Sequence, residues 1–491
     1  MPRPLAPNAD PVGAWQPLFC TAKNMKKTIA YYSLLKSAGA LFCLIFLWGQ
    51  AWATPVVQRW QDASGAQVAL VSSPGIPMLD VRLDFDGGSR RDPTSQAGLA
   101  AVTALMSQRG VVAGGAADQA NVALGENALT ERWMDLGAQW SVSAGADQLS
   151  ATLRTLSAPD VLPQAVALAA RQLAHPLWSG DEAQAIWQRE RERLVAAWHN
   201  ASTQPATVAQ RRFAAAVYGQ HPYGQEATPD TLARIGLADM QRHWQRHVRA
   251  CQARITLVGD VDRTGADTIV RQLMAPLQAT ETDRQSGASH CAQLPPVPEV
   301  APLAVASDIR VPLRTAQAHV LLGQPGHPRN DPDYFPLLLG NYILGGGGFV
   351  SRLTTEVREK RGLSYGVYSY FMPGRHAGAF QVGLQTRPDQ AEQALAVARE
   401  VVNRFVQEGP TDAEVLAAKT YMANSFAMRI DTNRKLLDNV ANMQWHGLPP
   451  DYLDTWVASM QAVSVSDIRR AFARVLQTQR MVSVVVGGQG G

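Results

Sequence analysis

Two short runs near the start of the chain, residues 68–72 and 78–85, alternate apolar and polar side chains, the period of strands with one buried face. The second run ends at Gly87-Gly88, where a break in regular structure is expected. Apolar residues then recur at helical spacing over 97–109, and a strand pair is predicted at 138–144 and 148–155. A long helix follows Pro159, others cover 181–199 and 237–247, and a strand at 254–258 closes on Gly259-Asp260. The second half runs through the same order. A strand at 316–322 leads to a helix at 334–344, strands at 364–371 and 379–385, and helices at 388–408 and 412–429. A last helix at 465–475 precedes a strand at 481–486 that closes on Gly487-Gly488.

Corresponding landmarks lie about 230 residues apart, the signature of a domain-sized internal repeat rather than a solenoid. Strand runs mixed with paired helices predict an α+β fold built from two homologous α/β layer domains. Residues 281–306 carry Pro295, Pro296, Pro298 and Pro302 and read as a Pro-rich linker. The expected division is a leader region over 1–53, a first domain over 54–280, the linker, and a second domain over 307–491.

Composition narrows the picture. At 491 residues the chain is too long for one ordinary domain, and its apolar and charged fractions are those of a globular protein. A net charge of +4, with no long basic run and no aromatic-interleaved basic patch, argues against a nucleic-acid partner. Lys23, Lys26 and Lys27 precede an apolar stretch at 38–48 and the small-residue signal Ala51-Trp52-Ala53, the order of a cleavable export signal. Met25 reads as the start and Thr54 as the approximate mature N-terminus; the apolar stretch is short for a permanent anchor, so no stable membrane insertion is expected after processing. Removal of the leader takes Cys20 and Cys43 with it. Cys251 and Cys291 remain; whether they pair is left open by sequence, and two lone cysteines make no zinc site.

The densest chemistry lies over 337–371, LLLGNYILGGGGFVSRLTTEVREKRGLSYGVYSYF. An apolar helix runs into Gly345, Gly346, Gly347 and Gly348, then an amphipathic helix, an Arg-rich turn and a tyrosine-rich strand. Taken in order with Ser95-Gln96-Ala97-Gly98-Leu99-Ala100, His221-Pro222-Tyr223-Gly224 and Val258-Gly259-Asp260-Val261-Asp262, this stretch resembles the pitrilysin/insulinase-type, mitochondrial processing peptidase-like zinc peptidases. The resemblance covers nearly all of the mature chain. It implies two α+β domains per chain, forming a clamshell in which two chains or chain halves close around a peptide.

The family's metal helix carries HxxEH, which puts two His one turn apart on one face with a Glu to activate water. The matching segment here is Gly98-Leu99-Ala100-Ala101-Val102-Thr103-Ala104-Leu105-Met106. Ala101 and Leu105 stand at the ligand positions, Ala104 at the base, and Ala197 at the third ligand, with Glu190 and Glu192 nearby. No metal is therefore expected in this chain. His243 and His247 have i, i+4 spacing, but each follows an Arg and no acid lies between them, so a structural role is expected; His199 and His221 read as packing or turn residues. There is no G-x-S-x-G elbow, and the four glycines are not followed by Lys-Ser/Thr, which excludes a phosphate loop.

The resemblance implies that Arg358 and Tyr365, seven residues apart, reach across the clamshell to the substrate carbonyl beside the zinc, where a guanidinium and a phenol stabilise developing negative charge. On residue types alone Arg358 fits a charged helix face equally well, and Arg361 is its rival. The four glycines read either as a flexible turn or as a loop where peptide passes close to backbone. The expected function is the non-zinc-binding subunit of a heteromeric periplasmic zinc metallopeptidase. An HxxEH partner of the same family would hold the Zn, and a peptide or unfolded protein would be the substrate. A structural or assembly subunit and a stand-alone peptide-binding module are the other classes.

Overall fold

The computed structural model describes residues 55–113, 122–284 and 294–488, with no side-chain description over 279–284. The expected leader and Cys291 lie outside the described residues. The first sheet contains β1 (Gln58–Gln61), β2 (Gln67–Ser72), β3 (Met78–Phe85), β4 (Gln139–Ala144), β5 (Leu149–Leu156) and β6 (Arg254–Gly259), in the order β1-β2-β6-β3-β5-β4. The second contains β7 (Ser307–Val311), β8 (Ala318–Pro325), β9 (Val367–Phe371), β10 (Ala379–Thr386) and β11 (Val482–Val486), in the order β7-β11-β8-β10-β9. Without the edge strand β1 the two orders superimpose, β2 on β7, β6 on β11, β3 on β8, β5 on β10 and β4 on β9. Each has one parallel pair, β2 with β6 and β7 with β11, joined by the whole helical section between them, as a parallel connection demands. The α+β fold with an internal repeat is what the spacing of landmarks predicted.

Alternation explains how the faces are divided. In β3, Leu79, Val81, Leu83 and Phe85 are fully buried on the face covered by the helices Leu99–Met106, Leu162–Ala174, Leu237–His247 and Arg263–Arg284. Asp80 and Asp84 point the other way and are also buried, so each is paired: Asp80 with Arg154 at 2.8 Å and Asp84 with Arg82 at 2.9 Å.

The second face of each sheet is closed by a helix from the opposite half. The helix Pro205–Tyr218 lays Ala209, Phe213 and Val217, spaced four residues apart, against Leu321, Ala379, Val482, Val484 and Val486 of the second sheet. Reciprocally, the helix Asn433–Trp445 sends Leu437 and Val440 into a cluster with Ala69, Val71 and Val258 of the first sheet. Asp438 pairs with Arg82 at 3.0 Å, and Arg254 lies over the Trp445 ring at 4.8 Å. The approach is close enough to fix a residue type: a Cβ at Gly323 would stand 2.8 Å from Phe213 Cζ and 2.0 Å from the Phe380 carbonyl oxygen.

Several boundaries differ from expectation. The helix predicted over 97–109 spans Leu99–Met106, and the strand predicted over 364–371 begins at Val367. The helix predicted over 412–429 stops at Asn424 and resumes as a single tight turn, Ala427–Arg429. Strands β1 and β7 and the helices Glu126–Asp135, Pro205–Tyr218, Arg263–Arg284, Asn433–Trp445 and Tyr452–Ala462 were not predicted. In the region read as a linker, residues 294–303 have neither helix nor strand. Cys251 is disulfide-bonded. Among the described residues no helix is long and apolar enough to cross a membrane.

Phe213 is fully buried between the halves, so Phe213→Ala is expected to cost about 3–5 kcal/mol of unfolding free energy. Urea unfolding followed by hydrogen exchange checks this. Both sheets should lose protection together; a loss under about 1 kcal/mol, or opening of the second sheet alone, would contradict the interlocked packing.

Candidate functional site

The glycine-rich segment is built as helix. The helix Tyr334–Asn341 continues into a wider turn, Tyr342–Gly346, then a tight turn, Gly348–Val350, and a second wide turn, Thr354–Glu359. Gly345 is buried against β9, where a Cβ would stand 2.4 Å from Ser369 Oγ and 2.5 Å from its amide nitrogen. Gly346 and Gly348 are exposed, and Gly348, at φ +61°, has open space around it. The stretch is thus a helical wall that ends in an open turn.

That turn presents Phe349, which is exposed, and the next presents Arg358. The Arg358 guanidinium carbon lies 4.7 Å from the Phe349 ring centroid and 4.7 Å from that of Tyr365. A cation is therefore held between two aromatic faces. Tyr365 is 86% exposed and enters β9 two residues later. No carboxylate pairs with Arg358 among the described residues. Its rival is differently placed: Arg361 Nη1 donates to Glu356 Oε2 at 2.6 Å and to the Glu356 carbonyl at 2.8 Å, and Lys360 donates to the same carboxylate at 2.7 Å. The two basic neighbours neutralise Glu356, and Arg358 is left half-buried against the two rings.

Beneath Tyr365 a groove of about 750 Å³ runs over the second sheet, lined by Tyr365, Tyr368, His319, Leu321 and Arg387. Tyr368 stacks on Tyr370 with ring centroids 5.7 Å apart, and burial, with the neighbouring phenol, pushes the Tyr370 hydroxyl up to about 12, so it stays protonated. β9 is an edge strand, as is its counterpart β4. Each edge has one carbonyl satisfied by a side-chain amide: Gln108 Nε2 donates to Val142 O at 2.9 Å and Asn341 Nδ2 to Ser369 O at 3.1 Å.

In the first half, Asp92 caps the helix Leu99–Met106, accepting from the Gly98 and Ala100 amides at 2.9 Å each. On that helix Ala101 is exposed, Leu105 half-buried and Ala104 buried; Ala197 is exposed on Asp181–Ser202. None of the four side chains offers a lone pair or a proton. Glu190, the nearby carboxylate, is engaged by Arg109 at 3.0 Å and Arg193 at 2.7 Å. The donor set does not fit zinc, and among the described residues no group of three His, Cys, Asp or Glu could hold a metal.

His243, His247 and His221 have structural partners, whereas His199 is exposed at the end of its helix. His243 Nε2 bonds to Gly87 O at 3.1 Å and His247 Nδ1 to Asp86 O at 2.8 Å, fastening the end of β3 to the helix Leu237–His247. Burial, reinforced by Arg246, pushes His243 down to about 4; burial, reinforced by His243 and then Arg246, pushes His247 down to about 3. His221 Nδ1 accepts from the Tyr223 amide and caps its turn. Sequence reasoning missed Phe349 as the second ring over Arg358; an aromatic directly after the glycines was the available signal.

Comparison with known proteins matches residues 234–422 to the family model described as the peptidase M16 inactive domain. The crystal structure of a peptidase M16 inactive domain from Pseudomonas fluorescens is 31% identical, with a TM-score of 0.79 over 89% of this chain and 98% of that one. An uncharacterised zinc protease of Streptomyces coelicolor is 28% identical over 278 residues, 56% of this chain, and the match spans only 59% of that protein's length. The periplasmic protease PqqL of Escherichia coli is 14% identical, with a TM-score of 0.72 over 89% of this chain and 46% of PqqL, a likeness of fold.

The buried histidines give a pH signature. Their folded values lie below the ordinary 6.5, so the unfolded chain binds more protons, and stability present above about 6.5 is lost as pH falls toward about 4. His446, pushed to about 4 by burial and then by Arg329, acts in the same direction. Unfolding free energies from urea titrations between pH 7.5 and 5 are expected to fall, each histidine contributing up to about 1.4 kcal/mol per pH unit. Asp92, whose carboxyl burial pushes up to about 7, works in the opposite direction over the same range, so the imidazoles are also read directly by NMR: titration of His243 and His247 near 6.5 would show that they are not held neutral.

Proposed function

The chain belongs to the M16 peptidase family, the pitrilysin/insulinase type, and on that premise we propose that it is the non-zinc-binding subunit of a heteromeric periplasmic zinc peptidase. One observation carries the reading. Arg358 stands between Phe349 and an 86% exposed Tyr365, without a carboxylate partner among the described residues, on a chain whose metal positions are Ala101, Ala104, Leu105 and Ala197. A half-buried cation with no carboxylate partner, held against an exposed phenol, has no ion pair to make within the described residues. Brought to a partner's active site, they would donate hydrogen bonds to the oxyanion that forms when a peptide carbonyl is attacked. The aromatic sandwich would fix the guanidinium before the reaction, so little reorganisation accompanies charge development.

The partner would hold HxxEH, the zinc and the general base. The match to 46% of PqqL supports such an arrangement, since that periplasmic protease has room for a second half beyond the matched one. Disulfide-bonded Cys251 fits an oxidising compartment. An extended peptide or unfolded segment would add as a strand at an edge such as β9, close to Tyr365, with the exposed Gly346 and Gly348 permitting close backbone approach. The groove beneath Tyr365 also suits a second reading, in which the chain is catalytically inert and only binds peptide or supports assembly.

The two readings separate in a reconstituted pair. Tyr365→Phe is expected to lower kcat roughly ten- to a thousand-fold, the scale of losing one oxyanion donor, with partner zinc content and assembly unchanged. Arg358→Ala should act similarly, with weaker binding if the guanidinium also meets ground-state peptide. Arg361→Ala is the control, since Arg361 is fastened to Glu356. Turnover of the first two variants at the control level would leave the inert reading.

A further inference from the structure

A second cavity, of about 270 Å³, lies among the helices of the second half and shares no lining residue with the groove beneath Tyr365. Arg329, Arg429, Tyr334, Tyr452, Phe426 and Trp456 define it, and no acidic side chain lines it. Arg329 is only 8% exposed. Its guanidinium carbon sits 3.7 Å from the Tyr334 ring centroid and 5.3 Å from that of Tyr452, and Nη2 donates to the Tyr452 hydroxyl at 2.8 Å. Among the described residues no carboxylate pairs with it. A guanidinium does not shed its proton and carries five donors, so a buried, unpaired one lacks a counter-ion that proteins normally supply.

The polar groups that line the cavity beside Arg329 are donors and amides, with no carboxylate among them. The Tyr452 oxygen accepts from Arg329, and burial holds its proton on, which leaves the phenolic O–H as one more donor. Arg429 is exposed at the cavity, 5.5 Å from the Trp456 ring centroid, and likewise has no carboxylate partner among the described residues. Arg329 is the largest charge acting on nearby His446 and disfavours its charged form, as do Arg375 and Arg254, with Asp147 opposing them. Against these donors stands a flat wall: Phe426 stacks on Trp456 with ring centroids 4.8 Å apart and an interplanar angle of 18°.

We propose that this cavity binds an organic carboxylate with a flat apolar body, Arg329 serving as its counter-ion and the stacked Phe426 and Trp456 as its seat. A carboxylate matches the planar guanidinium fork. A bare phosphate would leave the aromatic wall unused. An aromatic acid and a peptide ending in phenylalanine present the same group, and the volume suits a ligand portion of about one residue. The site stands apart from the peptidase pairing, since neither Arg358 nor Tyr365 lines it.

Isothermal titration of the full chain tests it with four probes: phenylacetate, phenylacetamide, and a tripeptide ending in phenylalanine as free acid and as amide. At least one acid is expected to bind saturably, with its amide about ten-fold weaker or worse. Binding of both acids points to a peptide C-terminus; binding of phenylacetate alone points to a small aromatic acid. Arg329→Gln should abolish binding, and the exposed Arg429→Gln should weaken it several-fold even if the first variant fails to fold. No binding of either acid up to about 10 mM, or equal binding of acid and amide, overturns the proposal.

Discussion

The reciprocal exchange of two helices is the constraint on which the rest of this structure depends. β11 reads Val-Ser-Val-Val-Val and is buried at every position, so its sheet needs apolar cover on both faces. The helices of its own half supply one layer, and Pro205–Tyr218 of the other half supplies the second. Asn433–Trp445 returns the favour to the first sheet. Neither sheet can be stripped of the other half without exposing a hydrophobic face to water.

That interlock is reinforced where the chain passes between the halves. Tyr223 donates to Asp147 Oδ1 at 2.6 Å, and the Arg375 amide donates to the same carboxylate at 2.8 Å. The Ala379 amide donates to the Tyr218 hydroxyl at 2.9 Å, and Glu299 accepts from the Ala377 amide at 2.7 Å. Two repeats tied in this way make a poor hinge. In the functional reading, opening and closing around a substrate then belongs to the junction with a partner chain. In that reading the second half would present Arg358 and Tyr365 toward the partner, while the helix Leu99–Met106 of the first half, capped by Asp92 and followed by Gln108 bonded to β4, serves as scaffold.

Much of the fold was legible because period-2 alternation survives wherever one sheet face meets its own helices, as in Leu79, Val81, Leu83 and Phe85 of β3. The two exchanged helices escaped notice for the complementary reason. Pro205–Tyr218 buries a narrow stripe of Ala209, Phe213 and Val217, and two of these are small or β-branched residues amid Ala- and Arg-rich sequence. Its stability comes from a sheet more than a hundred residues away, which no local window sees. Arg358 and Tyr365 came into view through family resemblance, whereas the feature that sets Arg358 apart from Arg361 is spatial: Glu356 holds one and Phe349 receives the other. The unpaired state of Arg329 is likewise a property of packing, since Asp331 and Asp333 lie close in sequence yet pair with Arg474.

The central claim is that this chain lost the capacity for metal and kept the capacity to assist. Metal analysis and peptide hydrolysis by the purified chain, alone and mixed with an HxxEH subunit of the same family, test it most directly. The account requires no stoichiometric zinc and no cleavage from the chain alone, with cleavage appearing, or rising well above the partner's own, on mixing. About one zinc per chain with chelator-sensitive cleavage in the partner's absence would contradict it.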